Sequence, residues 1–426
     1  MKEDLLHYIW KYRLYKTSSL ATTNGEVVEI VNPGTHNLDA GPDFSNARIR
    51  IGDLLLVGNV EIHTAQDDWY THRHHLDKAY NTVILHVVFE GSNRATLSAS
   101  GQAIPVLVLS NLIDTKLLGR YDLLKTSSSP IPCQALLPTL SEDFPMQTFQ
   151  EQLLIERLQT KVGVVEAMLN AYTNDWNQVA FQMLAMYYGA SVNKEPFALL
   201  AKSIPLAIIH KHSAEPLQLE ALLFGQAGLL QAEGDDDYYK ALRREYLYLK
   251  RLHSLSPIEA HSWKFFRTRP VNFPTIKIAQ LAALLCKQPY LFSSILDSLT
   301  IASLRKLFEV EVNPYWQTHY QFDKPVKKAI TSLGTMLTDV VLINAIAPVL
   351  FSYGRYKDDE DICNRVLELL DTLPAENNTI TRMWADLQIK ATSATQSQAL
   401  IQLKSEYCDK KRCLDCRLGH RLLKDM

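Results

Sequence analysis

The stretch GPDFSNARIRIGDLLLVGNVEIH, residues 41–63, decides how the first part of the chain reads. ARIRIGD and LLLVGNVEIH are strand-like runs, and Gly52-Asp53 between them is a natural hairpin turn. Alternate residues of a strand share a face, so Glu61 and His63 point the same way. Asp43 follows Pro42 in a turn and opens the preceding strand. A hairpin brings it beside Glu61. Two carboxylates converging at a strand edge are what a hard cation such as Mg2+ requires. Such an ion polarises a phosphodiester and activates a water.

Outward from this hairpin the pattern alternates between two periods. Leu5, Leu6, Ile9, Trp10 and Leu14 have helical spacing over 3–14. EVVEIV, TVILHVVF and IPVLVL are further strand-like runs. The polar, aromatic stretch Asp67 to Asn81 predicts a helix of about four turns. Helix, strands, helix and strands in that order make an α+β domain, a mixed sheet with flanking helices, over 1–120. The 67–81 helix is expected to cross between the Glu61 strand and the His86 strand, which then pair in parallel. On that helix Asp68, His72 and His75 fall on one face, and His74 and Lys78 on another. Trp69 and Leu76 are expected to pack on the sheet. Imidazoles this dense beside carboxylates suit Zn2+ or Mn2+ as well as phosphate contact.

TSSSPIPC at 126–133 marks a linker, taken as 121–144. From 145 to 403 the apolar spacing is helical almost throughout, with Gly, Pro and Asn as stops. No fixed-period repeat appears, which excludes a regular solenoid. The tail, 404–426, carries Cys408, Cys413 and Cys416 in the spacing C-x4-C-x2-C, with His420 after them. This reads as metal ligation. A fourth ligand completes a tetrahedral Zn2+ site or a [4Fe-4S] cluster, and Cys133 and His420 are the candidates. Cys286 and Cys363 sit in apolar helical settings and read as core thiols.

The chain has 426 residues, 47% of them hydrophobic and 21% charged, and a net charge of −2 from 44 basic and 46 acidic groups. A uniformly basic protein is excluded; a local basic patch is not. Lys410, Lys411, Arg412, Arg417, Arg421 and Lys424 form such a patch around the tail cysteines, suited to a phosphate backbone. No apolar run approaches the roughly 20 residues that span a bilayer. The charged, amphipathic start is not a secretory signal. A cytoplasmic protein without a membrane partner is expected, in which a disulfide framework is out of place.

Pro42-Asp43 and Glu61-Ile62-His63, on successive strands followed by a helix and another strand, resemble the PD-(D/E)xK nuclease superfamily. The resemblance covers about residues 1–115. It implies a nuclease-like fold, Asp43 and Glu61 as ligands of Mg2+ or Mn2+, and nucleic acid, DNA foremost, as partner. His63 stands where the superfamily has lysine, so it acts as ligand or base, or Lys78 swings in, or the site only binds. His75 is a further catalytic candidate, and Glu3 stands where many such nucleases carry an extra acid. One cysteine after the core and three at the end are similar in arrangement to the iron–sulfur staple of some exonucleases of that superfamily. Over nearly its whole length the chain also resembles a bacterial domain-of-unknown-function family, number 2851, through NLDAGPDFSNARI, EALLFGQAGLL, FRTRPVNFPTIKIAQLA, NPYWQTHYQF and PVLFSYGRY. Arg267, Arg269, Trp316, His319 and Tyr320 in these runs are candidates for lining a nucleic-acid groove.

Three functions follow as expectations: a metal-dependent nuclease, a non-catalytic nucleic-acid-binding or scaffold protein that kept the fold, and another metal hydrolase built on the His-rich helix. Geometry separates them. Asp43 and Glu61 within reach of one ion mark the first, Glu61 buried against an arginine the second, and three imidazoles converging without Asp43 the third.

Overall fold

A computed structural model describes residues 2–266, 268–298 and 300–424. Packing divides the chain into two units: Met1–Pro145 together with Lys404–Met426, and Met146–Leu403. The second is thus inserted, in sequence, into the first.

In the first unit helix α1 (Glu3–Tyr12) buries Leu5, Leu6, Tyr8, Ile9 and Trp10, and Glu3 and Asp4 in its first turn complement the helix dipole. Arg13, left-handed at φ 53°, ends it. The main sheet contains β1 (Val28–Asn32), β2 (Thr35–His36), β3 (Phe44–Ile51), β4 (Leu54–Ala65), β5 (Val83–Glu90) and β8 (Val106–Val108). Short strands β6 (Thr96–Leu97) and β7 (Ala103–Ile104) pair with each other. The order is β1-β3-β4-β5-β8, with β2 beside β3. Pairing is antiparallel through β1, β3 and β4, and parallel from β4 to β5 and β5 to β8. The hairpin forms as expected: Ile51 faces Leu54 across Gly52-Asp53, and Gly52 takes φ 57°. Glu61 is in register with His86, which places both on one face of the parallel pair.

The connection between these two strands differs from the four-turn helix expected over 67–81. One turn of α-helix, α2 (Asp68–Thr71), is followed by 3-10 turns at His74–Leu76 and Lys78–Thr82. Arg73 adopts φ 64° and breaks the helix, and Asp77 caps the second turn by accepting from Ala79 N. Trp69 is fully buried, as expected, and donates to Leu97 O, whereas Leu76 is 68% exposed. The boundary expected at 120 falls inside helix α3 (Thr115–Thr126).

The tail packs on this unit. Lys411 donates to the carbonyls of Lys125 and Ser127, Arg120 donates to Leu422 O, and Arg421 pairs with Asp143. Arg412 pairs with Asp415 and Lys410 with Glu406. Cations expected to meet a phosphate backbone are here engaged by the protein itself.

The second unit is helical, led by α4 (Met146–Ala171), with one core from Leu154 to Ala394. Trp316 is part of that core, stacked on Phe224 and donating to Tyr238 Oη, so it is not a stacking platform for bases. His319 stacks on Tyr315, and Arg267 lies outside the described residues. The run Thr335–Lys357 is long and apolar enough by composition to cross a membrane, contrary to the sequence reading, but 72% of its apolar window is buried. Pro348 lacks the N–H that would return to Asn344, and the helix widens to a π-turn over Leu342–Ile346 just before it.

Gly58 carries a packing constraint on the β4–β5 pair. A Cβ there would stand 2.4 Å from Ile84 Cγ2 and 2.7 Å from Thr82 O. Gly58→Val is expected to lower stability by about 1–3 kcal/mol, the usual cost of overpacking. A urea midpoint equal to that of the parent protein would contradict this.

Candidate metal centre

Asp43 and Glu61 are joined by a reciprocal clamp. Asp43 N donates to Glu61 Oε2 at 3.1 Å, and Ile62 N donates to Asp43 Oδ2 at 2.8 Å. The clamp sits where the β3–β4 register shifts between Phe44 and Ala47, with Asn46 at φ 57°. The same Asp43 oxygen lies 3.2 Å from His7 Nε2 of α1. His7 was not among the residues singled out in the sequence. Its signal was present, because it stands four positions after Glu3 on the same helical face. Glu3 is half-buried and feels the charges of Asp43, His7, His72 and Asp68.

The other oxygen of Glu61 faces imidazoles. Glu61 Oε1 lies 3.3 Å from His74 Nε2 and 3.6 Å from His63 Nε2, and His63 Nε2 lies 3.1 Å from His72 Nδ1. His63, His72 and His74 each offer a donor atom within 4.8 Å of the others. An ion bound at about 2.0–2.1 Å to tetrahedral nitrogens sets neighbouring donors about 3.3 Å apart. The observed separations bracket that edge. His74 Nε2 is buried without a hydrogen-bond partner, a donor set aside for an ion. His72 is exposed and opens the group to solvent.

A second layer holds His63. Its Nδ1 lies 2.9 Å from His86 Nε2, and His86 Nδ1 lies 3.3 Å from Thr96 Oγ1. A proton on each Nδ1, donated outward, leaves His63 Nε2 with a lone pair aimed into the site. The Trp69 ring stands against His74 and His86, and Tyr80 lies on His74 at 3.8 Å between centroids.

Of the other expected residues, His75 turns away. Its ring packs on Tyr70, because the break at Arg73 removes the common helical face. Lys78 is exposed, and among the described residues no ion pair joins it to Asp43 or Glu61. Asp68 instead accepts from Thr64 Oγ1 and Ala65 N, fixing the end of β4.

Burial pushes the Glu61 carboxyl up to about 9, and the negative charge of Asp43 adds to it. Burial lowers His63 to about 2, His74 to about 4 and His86 to about 3, each reinforced by neighbouring imidazoles. His7 is the exception: burial opposes its charge, but Asp43 outweighs burial and holds it above the ordinary value. Without an ion the centre therefore has neutral imidazoles and a protonated Glu61 at pH 7. Nitrogen donors, one carboxylate and no counter-cation form a set that fits a borderline divalent ion better than Mg2+.

The cysteines lie elsewhere in the same unit. Cys133, Cys408, Cys413 and Cys416 are all buried and outside any disulfide. Burial raises Cys133 to about 12, and Cys416 and Cys413 raise it further. His420 is engaged with Tyr8, its Nδ1 lying 2.6 Å from Tyr8 Oη. Cys286 and Cys363 are half-buried among the second unit's apolar residues.

The fold and the centre define an α+β unit with a histidine–carboxylate cluster, interrupted by a helical unit. The chain belongs to the family described as Protein of unknown function (DUF2851), whose model matches residues 3–379. No curated protein and no solved structure matches it.

Two consequences of the Glu61 environment are measurable. A carboxyl raised on folding binds a proton that the unfolded chain releases, so metal-free protein is expected to lose stability as pH rises from about 4.5 towards 9. Glu61→Gln should flatten that slope. Binding of Zn2+ or Mn2+ at pH 7 should release about one proton per ion. Calorimetry in buffers of different ionisation enthalpy counts it, and zero release would contradict the assignment.

Proposed function

We propose that the first unit is a metal-dependent hydrolase of nucleic-acid phosphodiesters, with DNA the favoured substrate. Glu61, His63, His72 and His74 are the ligand candidates, and Asp43 is held beside them. The observation that carries this reading is the convergence of three imidazoles on the free oxygen of a buried glutamate. The phosphodiester substrate is inferred from the nuclease-like order of elements: helix, antiparallel hairpin bearing Asp43 and Glu61, connection, parallel strand.

In this reading His63 serves as a ligand in the place of the lysine. His86 and Thr96 orient its ring. His7 and Ile62 N hold the Asp43 carboxylate beside the reacting region, where Asp43 or His7 can hand on a proton. An ion of this class, when bound, supplies a Lewis acid and an activated water. The imidazole-rich donors favour Zn2+ or Mn2+ over the Mg2+ that two carboxylates alone would suit. The scaffold reading called for an arginine on Glu61. Among the described residues the ion-pair partners of Glu61 are His63 and His74.

The test is cleavage of labelled single- and double-stranded DNA by the full chain with Zn2+, Mn2+ or Mg2+. Glu61→Ala and His63→Ala should each abolish divalent-dependent cleavage with the fold retained. His86→Ala should lower metal affinity about 10–100-fold, the usual effect of removing a residue that orients a ligand. His75→Ala should change neither. Undiminished cleavage by Glu61→Ala would remove this centre from the reaction.

A further inference from the structure

A second metal site is written into the same unit, independent of the reading above. We propose that Cys133, Cys408, Cys413 and Cys416 together ligate an iron–sulfur cluster that staples the tail to the segment after α3. Three observations carry it.

The first is convergence. Cys133 comes from the turn after Pro132, and the other three come from the far side of the inserted unit, Met146–Leu403. Yet Cys408 interacts electrostatically with Cys133, Cys416 and Cys413, and Cys133 with Cys416 and Cys413. All four are 7–8% exposed. Four buried thiols drawn from two distant segments onto one place, with no disulfide among them, match what a four-thiolate centre requires.

The second is that the backbone around them is built to hold the cluster of sulfurs. Gly419 lies so close to Cys413 that a Cβ there would stand 2.1 Å from its carbonyl oxygen. The loop Cys413–Cys416 is thereby pressed against the first turn of the helix Arg417–Lys424. Lys411 grips the carbonyls of Lys125 and Ser127, just before Cys133. His420, the alternative fourth ligand, is committed to Tyr8 and Tyr12.

The third is spacing. Zinc at about 2.3 Å from each of four sulfurs draws them to about 3.8 Å from one another. Among the described residues, His63, His72 and His74 form the group of three donors within 4.8 Å, and the thiols are set wider. A cubic cluster takes one thiolate per iron and so holds its sulfurs further apart than a single ion does.

The test is elemental analysis of the full chain purified anaerobically. About four iron and four acid-labile sulfide per chain, with brown colour, are expected. Cys133→Ser and Cys413→Ser should each lose the colour and most of the iron. Cys286→Ser and His420→Ala should keep both. A measurement on unmodified protein guards against variants that fail to fold. The four thiols should resist alkylation together and become reactive together after oxidative removal of the cluster, as mapped by mass spectrometry. Protein that holds no iron, even after incubation with ferrous iron and sulfide, would overturn the proposal. So would one zinc per chain in place of iron, or iron retained in Cys133→Ser. Loss of DNA cleavage alone would not bear on it, because the readout is iron and sulfide.

Discussion

The arrangement turns on one contact, the mutual clamp between Asp43 and Glu61. Each carboxylate accepts a backbone N–H from the strand that carries the other, Glu61 from Asp43 N and Asp43 from Ile62 N. The clamp replaces regular ladder pairing where β3 bulges, so it fixes the strand end and both acids at once. It also sets two acidic groups side by side in a buried place, which is costly unless protons or cations compensate. His7 compensates Asp43. Glu61 is left to a proton or an ion. The same interaction that finishes the hairpin therefore creates the affinity of the centre for positive charge.

Around this clamp the imidazoles have unequal jobs. His74 and His72 come from the irregular connection after β4, where the backbone can turn side chains back on the sheet. His63 comes from the strand itself and is braced through His86 to Thr96. One rigid ligand and two from a loop combine a defined geometry with room to adjust to the ion's radius. The Trp69 ring closes one side and keeps water from His86, which is fully buried.

Much of this was legible in the residues. Alternation in β4 put Glu61 and His63 on one face, Gly52-Asp53 announced the hairpin, and strand content gave the mixed sheet. The length of the 67–81 helix was misread because periodicity cannot register Arg73 in a left-handed conformation, nor the capping role of Asp77. That one break decides which histidines meet: it brings in His72 and His74 and dismisses His75. His7 was passed over because its helix was read for its apolar stripe, although its polar face reaches the site. Trp316 shows the converse. An aromatic in a polar-looking run can belong to the core, and sequence spacing alone does not reveal which element covers it.

The first unit is assembled from both sides of an insertion. During synthesis the ribosome delivers α1, the hairpin and the histidines early, and Lys404 onwards only after the whole helical unit has been made. The nascent N-terminal segment can thus gather its ion before its cysteines have partners, and Cys133 waits as an unmatched thiol until translation is nearly complete. Any interruption within the helical unit yields a chain with the histidine centre but without the tail that seals Tyr8, Arg120 and Asp143. Completion of the polypeptide is in this sense a checkpoint for the first unit, imposed by connectivity alone.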